Sequence, residues 1–292
     1  MPEGDTVWRT ASRLNEVLAG EVITAADLRW PRLSTVDLQG IRTLEVVARG
    51  KNILHRLATG LTLHSHLRME GQWRVVATER LDDRALANHQ LRALIGTASW
   101  TALGLRLGTL NLVATRDEGS LVGHLGPDPL GPDWDAAEVV RRLTASDATI
   151  GAALLDQRNL AGVGTLYASE VLFLARLNPW SPAADLSVTQ LSGVVDRIQR
   201  LLDTNRHNAS QITTGVARRG ETTYVHGRSG RSCRRCGDLV RVAVLGEPAA
   251  LRTFFYCPTC QGALAPTDDG RRQGPLGSSA RSPGEQSRRL LG

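Results

Sequence analysis

Residues 224–237, YVHGRSGRSCRRCG, and 251–261, LRTFFYCPTCQ, hold all four cysteines of this 292-residue chain, Cys233, Cys236, Cys257 and Cys260, in one window of 28 residues. Each pair reads C-x-x-C, and 20 residues lie between the pairs. Two intervening residues let both sulfurs of a pair reach one tetrahedral ion, and two such pairs complete its shell. The spacing predicts one structural Zn2+ per chain, with protein sulfur at every position and none left open for chemistry. Disulfides are the alternative reading. They need an oxidising compartment, and the start MPEGDTVWRT lacks the basic opening and apolar core of a secretory signal.

Charge gathers around the cysteines. Between Arg206 and Arg252 stand nine arginines (Arg206, Arg218, Arg219, Arg228, Arg231, Arg234, Arg235, Arg241, Arg252) against three acids (Glu221, Asp238, Glu247), a net +6 that equals the formal charge of the whole chain. A positive stripe on a metal module predicts a phosphate-binding face. Aromatic residues make up only 4% of the chain, too few for a run of stacking platforms, so duplex DNA is the better expectation than a single strand.

The chain is longer than one comfortable core, which predicts two domains and a small module. No apolar run approaches the roughly 18–20 residues that span a bilayer. A soluble, cytoplasmic protein is expected. Residues 6–19 have helical periodicity, with Val7, Ala11, Leu14 and Leu18 on one face and Gly20 as a stop. From 21 to about 114 the pattern changes to short β-rich runs such as LEVVARG, KNILHRL and LTLHSHL, the signature of a sandwich or barrel. The segment 123–134, GHLGPDPLGPDW, reads as a linker. Helical patterns follow at 135–143, 150–157, 165–177 and 187–205, and the metal module closes by about 264. The Gly/Ser/Pro/Arg-rich end predicts disorder.

Two single features carry chemistry. Of 35 basic residues only Lys51 is a lysine, in ARGKNILHRL at a turn that feeds a strand. Arginine supplies charge and phosphate contacts as well or better, so a lone lysine either marks a place for a compact ammonium or is a chance survivor of arginine-rich codon usage. Proline after the initiator methionine permits that methionine's removal, which leaves Pro2 with a free secondary amine. An α-amine has a pKa of roughly 7.7–8.0, so part of it is unprotonated near neutrality, and the positive end of the first helix favours that form. Beside Glu3, such an amine can attack an electrophilic sugar carbon and form a Schiff base.

Taken together, five stretches resemble the formamidopyrimidine-DNA glycosylase / endonuclease VIII family, in order and over nearly the whole chain. They are PEG (Pro2–Gly4), similar to the endonuclease VIII branch; RGK (Arg49–Lys51); LGPDPL (Leu125–Leu130), like the interdomain hinge; DQRNLAGVGTLYASEVLF (Asp156–Phe173), like the helix–two-turn–helix; and the two cysteine segments, with Arg252 five residues before the third cysteine. The resemblance implies an α+β fold. An N-terminal helix with an antiparallel β-sandwich spans 1–122, a hinge 123–134, a helix–two-turn–helix domain 135–226 and a four-cysteine zinc-finger β-hairpin 227–264, before a disordered tail at 265–292.

The same resemblance implies a monomeric, nucleoid-associated enzyme of base excision repair. It would remove oxidised bases, pyrimidines first, from damaged duplex DNA and cut the abasic strand by β,δ-elimination. Pro2 would be the nucleophile, Glu3 the acid at the sugar ring oxygen, and Lys51 a phosphate contact aiding the chemistry. Arg252 would grip the backbone, and Met69 would fill the hole left by the extruded base. Thr165 stands where the family has a phosphate-binding asparagine, so that contact is weakened or moved to Asn159. Asp5-Thr6 replaces the family's Pro-Glu, and the loop Gln211–Thr223 has its own sequence. Oxidised purines as the main substrate, or DNA binding without catalysis, are the competing readings.

Overall fold

A computed structural model describes residues 2–246 and 251–275. The chain divides into two compact units that do not follow the linear order expected from the sequence. The first holds the described residues through Arg142, then 156–164 and 195–209; the second holds 143–155, 165–194 and the described residues from Ser210 onward.

In the first unit helix α1 (Gly4–Leu18) buries Val7, Ala11, Leu14, Val17 and Leu18, the apolar stripe read from the sequence. It starts two residues earlier than Thr6, with Glu3 at its N-cap. Eight strands follow: β1 (Ala25–Leu28), β2 (Thr43–Arg49), β3 (Asn52–Leu57), β4 (Leu61–His66), β5 (Gln72–Ala77), β6 (Leu91–Gly96), β7 (Trp100–Leu105) and β8 (Thr109–Ala114). They form two antiparallel four-stranded sheets, ordered β2-β3-β4-β8 and β1-β6-β7-β5. One core joins them: Val46, Ile53, Leu57, Leu63 and Leu110 from the first sheet meet Leu28, Ala93, Ile95 and Ala102 from the second and the buried face of α1. This is the predicted sandwich. The segment 195–209 groups with this unit because Arg9 donates to Asn205 O at 3.2 Å and to Asn208 O, while the Arg206 guanidinium lies 4.6 Å over the Trp8 ring.

The stretch 123–134, read as a linker, is bonded throughout. Gly126 N donates to Gln157 O at 2.8 Å, Ala161 N to Pro127 O at 3.1 Å, and the buried Asp128 carboxylate accepts Gly50 N at 2.6 Å and Leu130 N at 3.0 Å. Helix α2 (Ala136–Thr144) follows it.

The second unit contains α3 (Ile150–Leu155), α4 (Thr165–Ala175), the first turns of α5 (Val188–Asn205), and the antiparallel hairpin β9 (Arg241–Leu245) with β10 (Arg252–Tyr256). Helix α4 is buried on every side from Thr165 to Phe173. Its Phe173 packs with Val225, Val240, Phe255, Cys233 and Cys257, so the cysteine module and α4 share one core. Among the described residues no helix is long and apolar enough to cross a membrane.

The expectation of disorder from 265 is corrected for its first part. Residues 265–275 are held by a buried ion pair: Arg241 Nε and Nη2 donate to the two Asp268 oxygens at 2.6 Å each, and Tyr256 OH donates to the same carboxylate at 2.6 Å. Gln273 adds hydrogen bonds to both backbone groups of Val242. Composition predicted a tail because the charges there read as solvated; Arg241 and Asp268 instead satisfy each other. Residues 276–292 lie outside the described residues.

Burial alone would raise the Asp268 carboxyl, but the Arg241 and Tyr256 hydrogen bonds overcome it and hold the group below its ordinary value. A folded-state pKa below the unfolded one contributes stability above about pH 4, which is lost as pH falls through the folded value. Asp268→Ala strands a buried guanidinium, and the expected cost is about 3 kcal/mol. Urea unfolding at pH 7 and pH 3 checks both: the mutant's deficit should be large at pH 7 and shrink at pH 3.

Candidate active site

Three segments of the first unit converge by backbone contact, and a fourth joins them through a carboxylate. Gly4 N donates to Gly162 O at 2.8 Å, and Gly162 adopts φ +83°, a region that glycine alone enters at no steric cost. A Cβ on Gly162 would lie 3.4 Å from Gly4 Cα and 3.7 Å from Gly50 Cα, so the chain start, the β2–β3 turn and the loop 156–164 meet backbone to backbone. Asp128 closes the group through Gly50 N.

This junction places the three candidate catalytic residues. Pro2 immediately precedes Glu3, whose side chain is fully buried and whose Oε2 accepts Gly164 N at 2.7 Å. Lys51 Nζ donates to the carbonyl of the preceding residue, Val163 O, at 2.6 Å. Gln157 spans the loop from inside: its Nε2 donates to Val163 O at 2.8 Å and its Oε1 accepts Gly162 N at 3.0 Å. One amide side chain thus fixes the loop that receives both Glu3 and Lys51.

On β4, His64 and His66 alternate on one face, near Lys51. Burial pushes His66 down to about 4, with help from the positive charges of Arg68, Lys51 and His64. It is therefore a neutral ring at physiological pH, and its Nδ1 accepts Arg68 N at 2.9 Å. His64 is lowered by burial too, and its Nε2 lies 2.9 Å from Asn52 Oδ1. Met69 sits at the turn that follows β4 and is 66% exposed, which excludes a core role for it.

In the second unit the sulfurs of Cys233, Cys236, Cys257 and Cys260 all lie within 4.8 Å of one another. The Cys233–Cys260 and Cys236–Cys257 separations are 3.9 and 3.5 Å, close to the roughly 3.8 Å edge of a tetrahedron with metal–sulfur bonds of about 2.3 Å. Burial pushes the Cys257 thiol up and the Cys260 thiol up to about 11, while at Cys236 burial is outweighed by hydrogen bonds with the Asp238 backbone and the neighbouring thiols, which lower it. A divalent cation is what would deprotonate such a set. Donor chemistry and spacing both fit a four-sulfur metal site.

The comparisons agree with this architecture. The family described as the formamidopyrimidine-DNA glycosylase N-terminal domain matches residues 1–103, and that enzyme's H2TH domain matches 125–215. The chain belongs to the formamidopyrimidine-DNA glycosylase family. It is 47% identical over 272 residues to a probable endonuclease 8 2 of Streptomyces coelicolor, covering 93% of this chain and 98% of that one. It is 40% identical to a DNA-(apurinic or apyrimidinic site) lyase of Mycolicibacterium smegmatis, covering 90% and 100%. Among solved structures, the Lactococcus lactis glycosylase complexed with DNA containing an abasic site superposes with a TM-score of 0.73 at 25% identity, covering 89% of this chain and 99% of that one.

Within this glycosylase fold the remaining candidates are distributed unevenly. Asn159 belongs to the loop 156–164 of the first unit, where its N donates to Asp156 O at 3.0 Å. Thr165 opens α4 in the second unit and is largely buried. Arg252 is the first residue of β10, exposed and paired in register with Leu245.

The arginine stripe is thinner than the sequence suggests. Arg234, Arg235 and Arg241 turn donors onto carbonyls and carboxylates of their own unit. Sequence reasoning assigned no part to Gln157, Asp128, His66 or Glu170. The Glu170 carboxylate is fully buried and accepts Tyr224 N, Val225 N and His226 N at 2.7–2.8 Å, together with the Thr213 hydroxyl. Gln157, Asp128 and Glu170 all lay inside quoted motifs, and the HSH alternation of β4 marked His66.

A Cβ at Gly164 would lie 2.6 Å from the Glu3 carboxyl carbon, closer than real atoms approach. Gly164→Ala should displace that carboxyl by a few tenths of an ångström or more and cut base excision about 100-fold. Single-turnover kinetics together with an unchanged circular dichroism spectrum would show it; wild-type rates in the variant would mean that Glu3 needs no fixed position.

Proposed function

We infer that this protein is a bifunctional DNA glycosylase and abasic-site lyase of base excision repair, acting on oxidised bases, pyrimidines above all, in duplex DNA. One observation carries the reading. A fully buried carboxylate, Glu3, adjoins Pro2, the imino acid that removal of Met1 would free, and is aimed by Gly164 N, with the single lysine bonded to the residue before. The names of the relatives, an endonuclease 8 and an abasic-site lyase, support the same activities, and the PEG start supports the endonuclease VIII side.

In the mechanism that follows, the Pro2 nitrogen lone pair attacks C1′ of the damaged nucleotide as the C1′–N bond breaks and the base leaves with that electron pair. Glu3 donates its proton to the ring oxygen, the C1′–O4′ bond opens, and an iminium joins Pro2 to C1′. The iminium acidifies the C2′ proton. Its loss expels the 3′ phosphate, and a second elimination along the conjugated chain expels the 5′ phosphate. Water then releases Pro2. Lys51 supplies a compact positive charge for a flanking phosphate, and Arg252 a bidentate grip on the backbone. Met69, flexible and exposed, suits the gap left by an extruded base, whose extrusion costs a few kcal/mol. Cys233, Cys236, Cys257 and Cys260 hold a structural zinc, which fixes the hairpin that carries Arg252 and does no chemistry.

Borohydride should trap a covalent adduct between wild type and an abasic duplex, and a blocked N-terminus should abolish it. Glu3→Gln should lose excision of a damaged base about 100-fold or more while retaining part of the cleavage of a preformed abasic site, where no base has to leave. Equal losses on both substrates would count against the assigned role of Glu3.

Metal analysis should find one zinc per chain. Cys257→Ala should lose the metal and weaken duplex binding by at least about tenfold, because small modules of this kind fold only with metal. Active, well-folded protein with less than half an equivalent of zinc would refute the assignment.

A further inference from the structure

The four-cysteine module reaches beyond its own hairpin. The loop from Thr213 to Thr223 is pinned at its feet: Thr213 N donates to Thr222 O at 2.8 Å, and Thr214 Oγ1 to Glu221 O at 2.7 Å. Glu170 accepts the Thr213 hydroxyl on one side and Tyr224 N on the other. The second support comes from between two cysteines. Arg234 Nη2 donates to Gly220 O at 2.7 Å and its Nε to Thr223 O at 3.1 Å. Beside it, Arg235 donates to Phe173 O at 2.9 Å, and its guanidinium carbon lies 4.2 Å from the Phe173 ring centre. Between Gly215 and Gly220, both at positive φ, the loop tip is exposed and carries Val216, Arg218 and Arg219.

We propose that Arg234 is a positioning residue through which metal binding orders the loop 213–223. The reason is geometric. A long, exposed arginine can hold two carbonyls at once only if its own Cα is fixed, and Arg234 lies in a C-x-x-C turn that one ion would clamp from both ends. Arg235 N already donates to Cys233 Sγ at 3.4 Å, as the turn around a bound sulfur requires. Without the ion the turn is left with Arg235 on Phe173 O, and the loop loses the Arg234 brace while keeping Glu170 and the longer Arg228 Nη1 contact to Thr223 O at 3.5 Å.

The functional consequence rests on the glycosylase reading above. On that reading the loop's exposed arginines meet phosphate, whereas Pro2, Glu3 and Lys51 belong to the other compact unit. Loosening the loop then costs affinity and leaves the chemical step alone.

Hydrogen exchange on the full-length protein tests the clamp, in zinc-loaded wild type, chelated wild type and Arg234→Ala with its zinc content verified. Amides of 213–223 should exchange about tenfold faster in both altered samples, the effect of losing one or two exposed hydrogen bonds. In metal-loaded Arg234→Ala, β9 and β10 should keep their protection. The variant should also bind an abasic duplex about threefold more weakly or worse, yet cleave it at the wild-type single-turnover rate under saturating enzyme. Unchanged loop exchange in metal-loaded Arg234→Ala, equal acceleration of loop and hairpin, or a slower saturating rate with intact affinity would each overturn the proposal. If wild type itself forms no borohydride adduct, the glycosylase reading fails instead, and the exchange arm still decides the clamp.

Discussion

The hydrogen bond from Gly4 N to Gly162 O, with the close backbone approach around it, is the constraint on which the candidate site depends. An N-terminal residue ordinarily frays, because nothing holds the chain on one side of it. Here the third and fourth residues are bound to a loop some 160 positions away in sequence. Glu3 is fixed by Gly164 N and Lys51 by Val163 O, so three consecutive loop residues, 162 to 164, each hold one element of the site. Gln157 fixes that loop in turn. The chain start gains its fixed position from this loop, whose glycines admit the neighbouring backbone where a side chain would block it.

Both units bury carboxylates, and both use the same device to do so. Glu3, Asp128 and Glu170 accept backbone N–H groups. An isolated buried carboxylate is costly, and oriented amides offset part of that cost without the side-chain entropy of a long cation. They also tie distant segments together: Gly164 N to Glu3, Gly50 N to Asp128 and Val225 N to Glu170 all join different stretches of chain. Glu170 gathers a helix, a loop foot and the entry to the cysteine module in one carboxylate. Arg241 and Asp268 are the contrasting case, in which a buried acid is matched by a guanidinium.

How much of this was legible beforehand follows from the range of each interaction. The cysteine spacing, the apolar stripe of α1 and the β-rich alternation are local patterns, and each corresponds to an element in the structure. Helix α4 was legible as a helix, but its burial on all sides was hidden by Thr165, Ser169 and Glu170, polar residues that find partners or space inside. The arginine stripe was over-read, because net charge counts guanidinium groups without showing where their donors point. The first part of the tail, 265–275, was misread for the same reason. Asp128 sat in a segment rich in proline and glycine that looked like a linker, and only its amide partners, Gly50 N and Leu130 N, reveal it as a fixed joint.

The lone lysine gains a physical reason from its surroundings. Elsewhere in the chain arginine brackets carbonyls with its forked donors: Arg228 takes Ser232 O, Arg234 two loop carbonyls, Arg49 both Gly126 O and Asp133. A fork suits places where acceptors are spread in a plane. At position 51 one acceptor is the Val163 carbonyl, which also receives Gln157 Nε2 at 2.8 Å. A guanidinium there would compete with Gln157 for the same lone pairs, and its planar bulk would press on the loop that holds Glu3. An ammonium fits as a point donor, keeps its charge compact beside the neutral His66, and leaves the Gln157 brace intact.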